Sequence, residues 1–178
     1  MFGEVLDSAG QQSEKTLGRQ ELMEEAIATQ LALWQGHKSY AWAGECGFFA
    51  DYVYHELKAK GVEARLDSFD NGLTSDGEVL APPGITLDEL GALHVFVGLN
   101  HVWLELDGKH FDAATPTGVD RPSDLRHFKQ VMVEMMRKRD PVRLQQLLHD
   151  YTWWREAEAL LMEFESWHQA RETDYLPN

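Results

Sequence analysis

HVWLELDGKHFDA, residues 101–113, is the stretch on which the reading of this chain turns. Two runs of alternating apolar and polar residues flank Asp107-Gly108. Asp-Gly in that setting favours a two-residue hairpin, because both turn positions need a positive φ. Such a loop pairs Leu106 with Lys109, Leu104 with Phe111, Trp103 with Asp112 and His101 with Ala114. Side chains alternate between faces along a strand, so Val102, Leu104, Leu106, Phe111 and Ala113 form one face, the expected core face. The other face carries His101, Trp103, Glu105, His110, Asp112 and Ala114. His101 and Asp112 are then diagonal neighbours, about 7–8 Å apart at Cα, and an imidazole and a carboxylate can close that gap.

A second stretch supplies a thiol. AWAGECGFFADYVYHELKAKG, residues 41–61, holds Cys46, the only cysteine of the chain. Phe49, Val53 and Leu57 recur at helical spacing, Lys58 and Lys60 suit the negative end of a helix dipole, and Gly61 suits the position just past the helix end. The spacing therefore predicts a helix from Cys46 to Lys60 with the cysteine in its first turn. Partial positive charge and free N–H groups at a helix N-terminus lower a thiol pKa, and a neighbouring imidazolium lowers it further. A carboxylate on the far side of that imidazole fixes its tautomer, and the amides around Cys46 and Gly47 form a candidate oxyanion hole. Cys46, His101 and Asp112 have the residue types of a nucleophile, a general base and its orienting acid. His94 is a rival base, Asp120 a fallback acid, and His110 a third polar member of the hairpin face.

Composition narrows the class. The 178 residues carry 30 acidic and 16 basic side chains, a formal net charge of −14, which disfavours nucleic acid and anionic membranes as partners. At 43% hydrophobic residues the chain can bury a core. A single cysteine forms no internal disulfide. The sequence contains no signal-like or membrane-spanning apolar run, so a soluble cytoplasmic protein is expected.

The remaining segments fall into a pattern. Residues 1–18 read as a flexible leader. Met23, Ile27, Leu31 and Trp34 predict a helix over 19–34, behind the acids Glu21, Glu24 and Glu25. Residues 62–66 read as a short strand, 67–92 as a long Asp/Gly/Pro-rich loop beside the site, and 93–99 as another strand. Beyond 120 the chain is helical: Leu125, Phe128, Met132 and Met135 make one stripe. After Pro141, Leu147, Tyr151, Trp154, Leu161, Phe164 and His168 stripe a helix of about 30 residues. That long stripe is expected to be helix packing, on the same chain or on a second copy in a homo-oligomer.

GECGFFADYVYHELKAKGVEARL followed by HVWLELDGKHFDAAT resembles the core of the transglutaminase-like superfamily, within the wider papain-like group of cysteine enzymes. The resemblance spans residues 42 to about 116. It implies Cys46 as nucleophile, His101 as base and Asp112 as orienting acid, acting by acyl transfer or amide hydrolysis through a thioester, on a protein, peptide or small amide substrate. Two departures stand out. The spacing from His101 to Asp112 is short, and the upstream oxyanion partner is ambiguous among Gln35, Tyr40 and Trp42, with Tyr40 preferred. The C-terminal helices have no counterpart in the family pattern.

The resulting expectation is an α+β fold, with a papain/transglutaminase-like core in which the nucleophile helix packs on a small antiparallel sheet. Residues 19–120 form the core and 121–178 a helical extension packed on the core or on a partner. The site is Cys46, His101 and Asp112, supported by Tyr40, Trp42, Gly47 and Trp103. No cofactor is expected. A metal site from His94, His101, His110 and Asp112 lacks any supporting ligand spacing. The competing class is a non-catalytic binding or assembly module that works through its helical tail.

Overall fold

Asp107 and Gly108 take φ values of 52° and 78°, so the two-residue turn forms as its sequence demands. This computed structural model describes residues 17–33, 46–70, 73–97 and 100–173, apart from the side chains of 94–97, 167, 168 and 170–173. β3 (His101–Leu106) and β4 (Lys109–Asp112) flank the turn, with Leu104 opposite Phe111 and Leu106 opposite Lys109. On its other side β3 pairs with β1 (Arg65–Asp70) over five residues, from Arg65 opposite Glu105 to Phe69 opposite His101. The short strand β2 (Leu73–Thr74) extends that edge and β5 (Thr115–Val119) the other. The sheet is antiparallel throughout, in the order β2-β1-β3-β4-β5.

Two helices cover one face. In α1 (Arg19–Leu33) Met23, Ala26 and Ile27 are buried. In α2 (Cys46–Ala59) Phe49, Ala50, Val53 and Leu57 are buried. These side chains form one cluster with Leu104, Leu106 and Phe111, the sheet face expected to be the core. The predicted end of α2 is also right. Gly61 lies at φ 76°, the Gly61 N–H reaches the Lys58 carbonyl (3.0 Å), and the Val62 N–H reaches that of Leu57 (2.9 Å). Those two bonds satisfy carbonyls that the helix leaves open.

The opposite face is core as well, which the alternation alone did not suggest. Phe69 and Trp103 project from it into a second cluster with Leu125, Phe128, Met132, Leu147, Trp154 and Leu161. Leu125 immediately precedes α4 (Arg126–Arg139), and the others come from α4, α5 (Pro141–Asp150) and α6 (Thr152–Thr173), so Leu147, Trp154 and Leu161 of the long stripe are buried in the chain's own core while Tyr151 is exposed. The single long helix expected after Pro141 is two. The chain extends at Tyr151 (φ −129°, ψ 127°) between α5 and α6. Asp140 caps α5, its side chain accepting from the Arg143 N–H at 2.9 Å, with Pro141 in the first turn.

Three other expectations need correcting. The strand expected at 62–66 lies at Arg65–Asp70. Its polar Asp67 is buried because Ser68 N–H (2.8 Å) and Ser75 Oγ (2.5 Å) both donate to it. The expected loop 67–92 contains the rest of β1, all of β2 and the start of a helix. Of the strand expected at 93–99, residues 93–97 are helical, since α3 runs Leu87–Val97, and 98–99 lie outside the described residues. Thr86 and Glu89 form a reciprocal capping box, Thr86 N–H to Glu89 at 2.8 Å and Glu89 N–H to Thr86 Oγ1 at 3.2 Å. A capped start outweighs the β preference of the short apolar run that follows. The chain is thus an α+β fold, with six α-helices around a five-stranded antiparallel sheet among the described residues.

Candidate active site

Cys46 is the first residue of α2 and is half-buried. The helix is held on the sheet by Phe49 and Val53, which bury their side chains against Leu104 and Phe111. The first turn lies against β3, where a Cβ at Gly47 would stand in ordinary contact, 3.9 Å, with the Val102 side chain. The thiol is thereby brought to the start of β3, where His101 sits.

His101 and Asp112 meet as their strand positions predict. His101 Nε2 and Asp112 Oδ2 are 2.9 Å apart, and each side chain is only 4% exposed. Asp112 Oδ1 accepts from the Ala114 N–H at 3.0 Å, and Thr115, its strand partner on β5, lies close enough to help lower the carboxyl. With Nε2 occupied by the acid, Nδ1 is the nitrogen left for the thiol. It makes no well-formed hydrogen bond among the described residues, yet Cys46 and His101 are close enough to shift each other's proton affinity.

The electrostatics follow from burial set against partners. Burial pushes the Cys46 thiol up, but the His101 imidazole and the backbone amides of Val102 and Gly47 outweigh it and hold the thiol below its ordinary value. Burial would also keep His101 neutral, yet the Asp112 carboxylate and the Cys46 thiolate raise it to about 9. Burial pushes Asp112 up, and its bond to His101 more than reverses this, leaving it below the usual carboxylate range. A proton shared between thiol and imidazole is therefore favoured on the imidazole, with the carboxylate beyond it. A cavity of about 10 Å³ between α2 and the sheet, bordered by Cys46, Phe49, Phe111 and the pair itself, has room for about one water.

The other residues singled out in the sequence divide. Trp103 is fully buried, its ring 6.1 Å from that of His101, and its Nε1–H donates to His110 Nδ1 at 3.1 Å. His110 is therefore tied to Trp103 rather than joined to the pair. Asp120 is exposed, and Asp112 holds the position beside His101. His94 lies on α3, and its side chain is outside the described residues, as are Gln35, Tyr40 and Trp42. Among the described residues no three His, Cys, Asp or Glu side chains gather as a metal-holding group.

One member of the cluster went unread in the sequence. His127, in the first turn of α4, packs its ring on that of His101 with centroids 4.2 Å apart. It borders the same cavity and is 8% exposed. Its neighbour Phe128 carries the visible apolar stripe, and nothing in the local pattern separates a histidine beside that stripe from a surface one.

No family model matches the chain, and no curated protein or solved structure is significantly similar to it. The chemistry must therefore be argued from the side chains. A thiol held as thiolate beside an imidazolium is a competent nucleophile, and the imidazolium can give its proton to a leaving group. No helix among the described residues is long and apolar enough to cross a membrane.

Proposed function

We propose that this protein is a cysteine-dependent enzyme with a transglutaminase-like core that cleaves or transfers an acyl group from an amide. The observation that carries the reading is the 2.9 Å bond from His101 Nε2 to Asp112, which leaves the other ring nitrogen for a thiol at a helix N-terminus. The Cys46 thiolate attacks the amide carbon, and backbone N–H groups at the start of α2 stabilise the oxyanion. His101 gives its proton to the departing nitrogen, the C–N bond breaks, and a thioester remains. Water or an amine then attacks the thioester while His101 takes its proton, and the thiolate leaves. The substrate is a protein, a peptide or a small amide.

Alkylation by iodoacetamide tests the reading, because Cys46 is the only thiol in the chain. The wild-type rate should follow a titration well below the ordinary thiol value of about 8.5, and His101→Ala should return it there. Equal, slow alkylation of both proteins at pH 6–7 refutes the pair. The burial of His101 and Asp112, each 4% exposed, favours one second reading, in which the pair is structural and the protein is a binding module. That reading predicts the equal, slow outcome.

A further inference from the structure

We propose that His127 is a positioning residue of this site, its ring packed on the His101 imidazole so that Nε2 stays on Asp112 and Nδ1 stays turned toward Cys46. The inference rests on the catalytic reading of Cys46, His101 and Asp112 and adds the C-terminal helices to it.

An imidazole held by a single hydrogen bond can still swing, because its outer torsion is broad. His101 has one such bond, to Asp112. What else limits its motion is contact with neighbouring rings. His127 lies closest, at 4.2 Å between centroids with the planes tilted by 36°, and Trp103 stands further off at 6.1 Å. Both histidines are buried, so neither ring is free to move aside into solvent.

The turn that carries His127 is fastened to the acid as well as to the base. The Arg126 N–H donates to Thr115 Oγ1 at 3.0 Å, and Thr115 is the strand partner of Asp112 across β4 and β5. One turn of α4 thus touches the base through His127 and reaches the acid through Thr115.

The chemistry of the ring suits the place. The titratable groups facing His101 are Cys46 from α2, Asp112 from β4 and His127 from α4. A second cation against the imidazolium would repel it and undo the thiolate. Burial first, and the positive charge of His101 second, press His127 down to about 3, so it stays neutral where the site works. A neutral ring against a cation is attractive rather than repulsive.

Two substitutions separate ring positioning from mere filling of space. His127→Phe keeps a flat ring, whereas His127→Leu keeps apolar volume without one. Both are made in the full chain and checked by thermal melting, and Cys46 alkylation by iodoacetamide is followed from pH 5 to 9. The phenylalanine variant should alkylate within about twofold of wild type at pH 6. The leucine variant should be slower by about tenfold, equivalent to one pH step in the thiol titration. A folded leucine variant with the wild-type profile overturns the proposal, and so does a phenylalanine variant no faster than the leucine one. Should the leucine variant fail to fold, the phenylalanine variant decides alone: a retained low titration supports positioning, and a reverted one refutes it. A wild-type thiol that already titrates near 8.5 brings down the catalytic reading itself, and this proposal with it.

Discussion

Removing the thiol should change how the stability of the fold depends on pH. The folded His101 holds its proton up to about 9, against 6.5 for an ordinary histidine. A group whose pKa is raised by folding stabilises the fold fully below the unfolded value, and the contribution fades as pH climbs through the folded one. From 6.5 to about 9, at about 1.4 kcal/mol per tenfold step in proton affinity, the limit is about 3 kcal/mol. Cys46 works in the opposite sense. Its folded pKa lies below 9.0, so once ionised the folded thiol lacks a proton that the unfolded chain keeps up to about that pH. Stability from the thiol therefore grows as pH rises from its lowered folded value toward 9.0. In the wild type this offsets part of the fall that His101 imposes between pH 6.5 and about 9. In Cys46→Ala only His101 and Asp112 remain, and stability should fall across that window. The expected fall is about 2 kcal/mol, the limit less the share that the thiolate lent to His101. Urea unfolding at half-unit pH steps, extrapolated to water, measures both profiles. Their difference removes the groups common to the two proteins. A flat difference profile would mean that the folded thiol and imidazole do not exchange a proton, and the electrostatic account of the site would be wrong.

Three further outcomes test the framework behind the site. Gly118 lies at φ 74°, and a Cβ there would stand 2.5 Å from the Phe111 ring, so Gly118→Ala should cost about 2–4 kcal/mol in urea unfolding. Gly108→Ala, at φ 78° with nothing within 4 Å, should cost only about 1–2 kcal/mol. Trp154 is fully buried and its Nε1–H donates to the Pro83 carbonyl at 2.8 Å, so Trp154→Ala should lose about 3–5 kcal/mol by thermal or urea denaturation; a loss under about 1 kcal/mol would show that α6 is not seated on the sheet.

What the sequence disclosed depended on how local the cause was. The hairpin was readable because Asp107-Gly108 dictates its own turn, and register then follows by counting to Leu104 and Phe111. The meeting of His101 with Asp112 follows from that register alone. The helix from Cys46 was readable through Phe49, Val53 and Leu57, and through Gly61 at its end. Residues 93–97 misled because a short apolar run does not declare its period, although Thr86 and Glu89 had announced the helix upstream. β1 was misplaced because Asp67 breaks the apolar alternation, and its burial depends on Ser75, a partner from across a turn. The second covered face of the sheet had no local sign at all. Trp103 looked like a companion of the site, yet the helical residues that cover it, Leu125 and Phe128 among them, begin more than twenty residues later. His127 shares that obstacle, since only the docking of α4 brings it to His101.

The sandwiching of one sheet between helices from opposite ends of the chain imposes an order on synthesis. α1, α2 and the hairpin are complete once residue 112 has left the ribosome, so thiol, imidazole and carboxylate all exist by then. His127 and the cover for Phe69 and Trp103 have yet to be made. At about 5–20 residues per second, the 49 residues from Asp112 to Leu161 take several seconds to follow. Until they do, His101 faces water on one side and the thiol lacks a settled partner. A nascent or prematurely ended chain is therefore a poor nucleophile with a sticky sheet face, exposed to chaperones and proteases. On the catalytic reading proposed above, reactivity arrives last, as a mark of a finished molecule.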